Sequence, residues 1–197
     1  GCWRGGIMPR RRLYRGDTTP ECALVRRSGL VSGTTAGLWR VTTDARASLG
    51  ARVILVGRSE ERFAAVRDSL VAAHGADRFP IVVADMGSLA SVRTAVSRIL
   101  QTETRLDILV DNAGAIYPER REGPDGIEAT LAVLVSGPFA LISGLLPMLK
   151  GSPGARVISV TSGGMYRQKL DLDDLQLTAE PSSGPPAYAR PKPAQTA

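Results

Sequence analysis

The chain has 197 residues, 43% hydrophobic and 22% charged, with a formal net charge of +6. That length and apolar content suit one domain with a substantial core, and exclude a disordered chain, a collagen and a disulfide scaffold. One His and two Cys exclude a zinc cage, so no metal site is expected.

Most of the charge is at the beginning. Residues 1–27 hold seven Arg against Asp17 and Glu21, a net +5, while the remainder is close to neutral. Residues 1–28 therefore read as a flexible basic arm. The run Arg10-Arg11-Arg12 is short enough to be a solvated arm, and no nucleic-acid partner is expected. No apolar stretch of secretory-leader length follows these arginines. Cys2 and Cys22 read as reduced thiols, which suits a cytoplasmic protein.

The first candidate site is VSGTTAGLW (31–39). Gly33 and Gly37 permit close backbone approach, and a helix opening after them would attract a phosphate. From residue 50 the pattern becomes regular. RVILVG (52–57), PIVVAD (80–85), LDILVD (106–111) and ARVISVTS (155–162) are continuous apolar runs, as expected of parallel strands covered on both faces. Helical spacing separates them. Phe63, Val66 and Leu70 follow Ser59 as N-cap, and Leu89, Val92, Val96 and Ile99 follow Ser88. This alternation predicts an α/β fold, a doubly wound parallel sheet of the Rossmann type, over residues 29–178. Residues 129–149 carry no charge, yet their Gly, Ser and Pro content predicts a covering helix and no membrane span. Residues 179–197, rich in Pro and Ser, read as a loop followed by the start of a further helix.

Three motifs follow the glycine turn in order: DNAG (111–114), TSGG (161–164) and Tyr188-x-x-x-Lys192. Together they resemble the short-chain dehydrogenase/reductase family over roughly residues 29–193. The stretch 157–176 is most similar to the subgroup around dehydrogenase/reductase SDR family member twelve, near the retinol-dehydrogenase-like reductases. The resemblance implies an oxidoreductase moving a hydride between a nicotinamide and a carbonyl or hydroxyl group. It implies catalytic roles for Ser162, Tyr188 and Lys192. Lys192, one helical turn from Tyr188, is expected to lower the phenol's pKa. For the cofactor it implies Gly33, Gly37 and Leu38 at the phosphates, Asp85 and Met86 near the adenine, and Asn112, Ala113 and Gly114 beside the ribose. Arg58 stands where its guanidinium could clamp a 2′-phosphate, with Gly57 before it in place of an acidic residue. NADP(H) is therefore expected ahead of NAD(H).

Four departures are visible. Trp39 stands at the third glycine of the family turn. Leu134 stands at the family's catalytic Asn. Pro191 and Pro193 bracket Lys192, and either would disrupt a helix interior. The family domain also continues past the length seen here, so the chain reads as a C-terminally truncated fragment. Its full-length form would carry the usual oligomer interface. The alternative expectation is a catalytically impaired protein that at most binds nucleotide.

Overall fold

The apolar runs form one five-stranded parallel sheet. The computed structural model describes residues 24–33, 38–75, 78–163, 166, 169–178 and 188–195. The Arg10–Arg12 run, both cysteines, Gly37 and the side chains of Leu38 and Trp39 lie outside what is described. The strands are β1 (Ser28–Ser32), β2 (Arg52–Gly57), β3 (Ile81–Val83), β4 (Ile108–Asp111) and β5 (Arg156–Ser159), in the order β3-β2-β1-β4-β5. Leu30 lies beside Ile54 on one side and Leu109 on the other.

Strands β3 to β5 are shorter than the apolar runs, although hydrogen bonds continue past their ends. Asp107 N donates to Ser28 O at 2.8 Å, and Val160 N to Asp111 O at 2.8 Å. The arginines before β1 do not prevent it forming. Arg26 turns the chain at φ 64, in the left-handed region, and Arg27 sends its guanidinium to Asp107. The strand then begins cleanly at Ser28.

Successive strand residues point to opposite faces, so each face acquires its own core. Leu30, Ile54, Val56 and Leu109 pack with α3 (Leu89–Thr102) and α4 (Ala129–Lys150). Val31, Val53, Leu55 and Val110 pack with Ala47 of α1 (Leu38–Ser48) and with Phe63 and Leu70 of α2 (Glu60–His74). The expected caps are present: Ser59 Oγ accepts from Arg62 N and Ser88 Oγ from Ser91 N. Each satisfies a backbone donor that the first helical turn leaves free.

Helix α4 is long and apolar enough to cross a membrane by composition. In this fold it buries Leu141, Leu145 and Leu149 against the sheet and α3. Its first part widens into a π-helical turn over Ala132–Ser136, and Leu134 is fully buried there. At the other edge of this half-sheet all four residues of β5 are exposed, including Val157 and Ile158.

Candidate functional site

Strand order reverses between β1 and β4, because the connections from β1 run outward to β2 and those from β4 run the other way to β5. The loops leaving the carboxyl ends of these strands therefore diverge and open a crevice, where ligands of open α/β sheets bind. Here the crevice is a shallow cleft, open to solvent. Gly33, Gly57, Arg58, Asp85, Met86, Ala113 and Gly114 line it, together with Tyr117 and Val133. Of the residues expected to hold a cofactor, six of the described ones thus meet at one place.

Gly33 is required by its surroundings. Its φ is +73, and a side-chain carbon there would lie 2.4 Å from Ala113 Cα. The glycine turn and the DNAG segment therefore touch backbone to backbone. Their contact is hydrogen-bonded too. Asn112 Nδ2 donates to Ser32 O at 3.1 Å and Gly33 O at 3.3 Å. Ser32 Oγ accepts from the Asn112 and Ala113 amides at 3.0 and 3.1 Å. The Asn112 amide thus faces the end of β1. Asp85 Oδ1 accepts from Gly87 N at 2.9 Å, which shapes the turn after β3. Arg58 is exposed at the cleft rim directly after β2.

The Tyr188 hydroxyl lies next to Gly114 of this cleft, 4.0 Å from where a side-chain carbon on that glycine would be. Tyr188 and Ala189 are helical, but the segment then becomes a turn rather than a continued helix. Pro191 explains the break: it has no N–H, and its ring obstructs the preceding turn. After it, Gln195 N donates to Pro191 O at 3.2 Å, closing a single new turn. A proline is tolerated at the start of such a turn. Lys192 still reaches Tyr188, its Nζ 5.1 Å from the ring centroid. The pair therefore meets without the continuous helix that its spacing suggests.

Lys192 is buried. Its Nζ donates to Val160 O at 3.2 Å and to Gln195 Oε1 at 2.7 Å. Gln195 Nε2 donates to Asp111 Oδ2 at 2.9 Å, and Ser32 Oγ reaches Asp111 Oδ1 at 3.3 Å. Burial pushes the Asp111 carboxyl up, partly offset by these hydrogen bonds and the Lys192 charge. Burial likewise lowers the Lys192 ammonium, with Asp111 opposing. The Tyr188 phenol moves up, not down as expected, because burial disfavours the phenolate. Ser162 is half-buried three residues beyond β5, two residues after the Val160 carbonyl that holds Lys192.

Leu134, buried within the π-helical turn, has its Cδ2 3.6 Å from the same Gly114 position. An aliphatic side chain thus packs behind Gly114. Sequence reasoning missed Ser32 and Gln195 altogether. Asp111 was visible in DNAG, but its partners come from residues 79 and 84 positions away.

A doubly wound sheet with a glycine-lined cleft at its switch point defines a nucleotide-binding α/β protein. Residues 28–169 match the family described as short chain dehydrogenase, and the chain belongs to that family. It is 37% identical over 170 residues to the polyprenol dehydrogenase of Mus musculus, covering 83% of this chain and 51% of that one. It is 31% identical over 172 residues to human dehydrogenase/reductase SDR family member 12, covering 87% and 54%. The chain thus spans about half the length of these curated relatives. A solved structure from Escherichia coli CFT073, described as a short chain dehydrogenase complexed with NADPH, shares the fold at a TM-score of 0.71. It is 24% identical and is matched over 89% of this chain and 69% of its own.

Proposed function

We propose that the chain is an NADP(H)-dependent oxidoreductase that moves a hydride between the nicotinamide and a carbonyl or hydroxyl group. The observation that carries this reading is the Tyr188 hydroxyl beside Gly114, a residue that lines the switch-point cleft, with the Lys192 ammonium beside its ring.

The cleft residues fit a dinucleotide. Gly33, Gly57 and Gly114 expose bare backbone that a pyrophosphate or ribose could approach. Met86, Ala84 and Val133 offer an apolar surface for a flat ring. Arg58 at the rim would pair bidentately with a 2′-phosphate, which favours NADP(H) over NAD(H). A solved structure of this fold from Escherichia coli was complexed with NADPH, in line with a nicotinamide cofactor.

When bound, the nicotinamide supplies the hydride. Tyr188 donates its phenolic proton to the carbonyl oxygen, and burial disfavours its phenolate. Ser162 donates a hydrogen bond to the same oxygen and orients it. Lys192 provides a positive charge beside the Tyr188 ring as negative charge develops on the phenol. Helix α4 buries Leu141, Leu145 and Leu149 in the core.

A second reading rests on Leu134 and on the engaged state of Lys192: the chain binds nucleotide but does not turn over. One experiment separates the two. NADPH is titrated while thermal unfolding is followed, and a panel of ketones and aldehydes is then assayed for NADPH oxidation. Saturable stabilisation with turnover supports the oxidoreductase. Stabilisation without turnover supports the second reading, and no stabilisation defeats both.

A further inference from the structure

We propose that Gln195 is a positioning residue of this site, bridging the buried Lys192 ammonium to the Asp111 carboxylate and fixing where Lys192 points. The inference rests on the reading of Lys192 as part of the machinery just described, and deepens it.

The chemistry of the two neighbours determines the amide's orientation. An ammonium has only donors, so it must face the amide oxygen; an ionised carboxylate has only acceptors, so it must face the amide nitrogen. Gln195 satisfies both at once, at 2.7 and 2.9 Å. Among uncharged side chains, only the amides of Gln and the shorter Asn and the neutral imidazole of His carry a donor and an acceptor on one planar group. The bridge also joins three strands. Asp111 ends β4 and is held by Ser32 at the end of β1, while Val160, just after β5, accepts from Lys192. A single turn from Pro191 to Gln195 is thereby anchored across the carboxyl end of the sheet.

Its effect on Lys192 follows from burial. A buried ammonium needs acceptors and a nearby negative charge to remain ionised. Val160 O and Gln195 Oε1 are the acceptors. Among the described residues, the charged and titratable groups facing it are Asp111, at the end of β4, and Tyr188, in the helical turn before Pro191. Removing the amide strips away one of two acceptors and breaks the hydrogen-bonded link to Asp111. Replacing it with a carboxylate keeps an acceptor and adds charge.

The test uses the full chain with Gln195→Leu and Gln195→Glu. Each variant is labelled with trinitrobenzenesulfonate across a pH series, and site-resolved mass spectrometry reads each lysine. The chain has three lysines, and the exposed Lys150 and Lys169 are internal controls. The expected result is a labelling midpoint for Lys192 that falls in Gln195→Leu and rises in Gln195→Glu, with about tenfold faster labelling at pH 8 in Gln195→Leu. The midpoint of the pH profile of NADPH-dependent reduction should move in the same order, with kcat reduced and KM for the carbonyl substrate little changed. Coincident Lys192 midpoints in the three proteins, or equal shifts at Lys150 and Lys169, overturn the proposal. If the midpoints move but no protein shows turnover, the bridge stands and the oxidoreductase reading fails. Should Gln195→Leu not fold, Gln195→Glu, which preserves length, decides alone by the direction of its shift.

Discussion

Asp107 and Asp111 flank the same strand, β4, and both are buried, yet their surroundings oppose each other. At the amino end, Asp107 receives the Arg27 and Arg105 guanidiniums and the Ser28 amide, and its carboxyl is lowered to about 2. At the carboxyl end, Asp111 has one hydroxyl, one amide and a buried ammonium beyond it, and burial pushes its carboxyl up. The amino end is a charge-satisfied clasp between β1, β4 and the Pro153 carbonyl. The carboxyl end keeps an incompletely compensated pair next to an open cleft. Structural ends neutralise their charges; sites that do chemistry retain a poised one.

The largest expected effect breaks the carboxyl end mechanically. Gly33→Ala adds a carbon 2.4 Å from Ala113 Cα at a φ of +73. Left-handed strain of about 1 kcal/mol adds to overpacking of about 2 kcal/mol, a loss of about 3 kcal/mol. Chemical denaturation should register that loss, and NADPH should no longer stabilise what remains folded.

Next comes the clasp. Asp107→Asn should cost up to about 2 kcal/mol at neutral pH, because a depressed carboxyl stabilises the fold wherever it is ionised. The figure is an upper value, since both guanidiniums are about 40% exposed and screened by solvent. The sign is specific. The contribution is complete above the unfolded value near 4 and is lost as pH falls through about 2. Urea unfolding of wild type and Asp107→Asn should therefore differ at pH 6 and converge near pH 2. Asp111 has the reverse sign. Its raised carboxyl binds a proton in the native state first, so its contribution grows as pH falls toward 4 and is lost as pH rises. Asp111→Asn should flatten stability above about pH 4 while leaving the acid limb intact. Parallel slopes in the two variants would contradict the contrast.

Much of this arrangement is legible in the residues. The apolar runs mark the sheet because a strand covered on both faces has no polar alternation to hide it. Ser59 and Ser88 mark helix starts because a first turn needs an acceptor. Gly33 of the glycine turn and Ala113 and Gly114 of DNAG mark one cleft, and the Tyr188 hydroxyl lies next to Gly114. What was not legible depends on distance in the chain. Gln195 meets Asp111 across 84 positions, and no local pattern announces that contact. Pro191 and Pro193 suggested a broken pair, yet a fresh turn after the break returns Lys192 to Tyr188. The direction of the Tyr188 shift was misjudged because the ammonium is a property of the motif, whereas burial is a property of the fold.

A smaller effect probes the cleft without touching its structure. Arg58 is exposed and follows β2 at the rim, so Arg58→Ala should leave thermal stability within experimental error. NADPH affinity should fall about tenfold, about 1.4 kcal/mol, while NADH affinity stays the same. Titration of both nucleotides against both proteins checks it. An equal loss for NADH would show that Arg58 does not read the 2′-phosphate.

The smallest expected effect returns to the amino end and isolates what is special about Gly33. Gly154, in the loop leading into β5, has nearly the same backbone angle, φ +75, but a side-chain carbon there would meet nothing within 4 Å. Gly154→Ala should therefore cost only the left-handed strain, about 1 kcal/mol, and leave NADPH binding unchanged. Set beside Gly33→Ala, it removes the backbone angle as a variable. Whatever separates the two variants in denaturation comes from the Ala113 backbone pressed against Gly33, and whatever separates them in nucleotide titration comes from the cleft that this contact shapes. If both variants lost the same stability, the close approach of the glycine turn to DNAG would not be what holds the carboxyl end together.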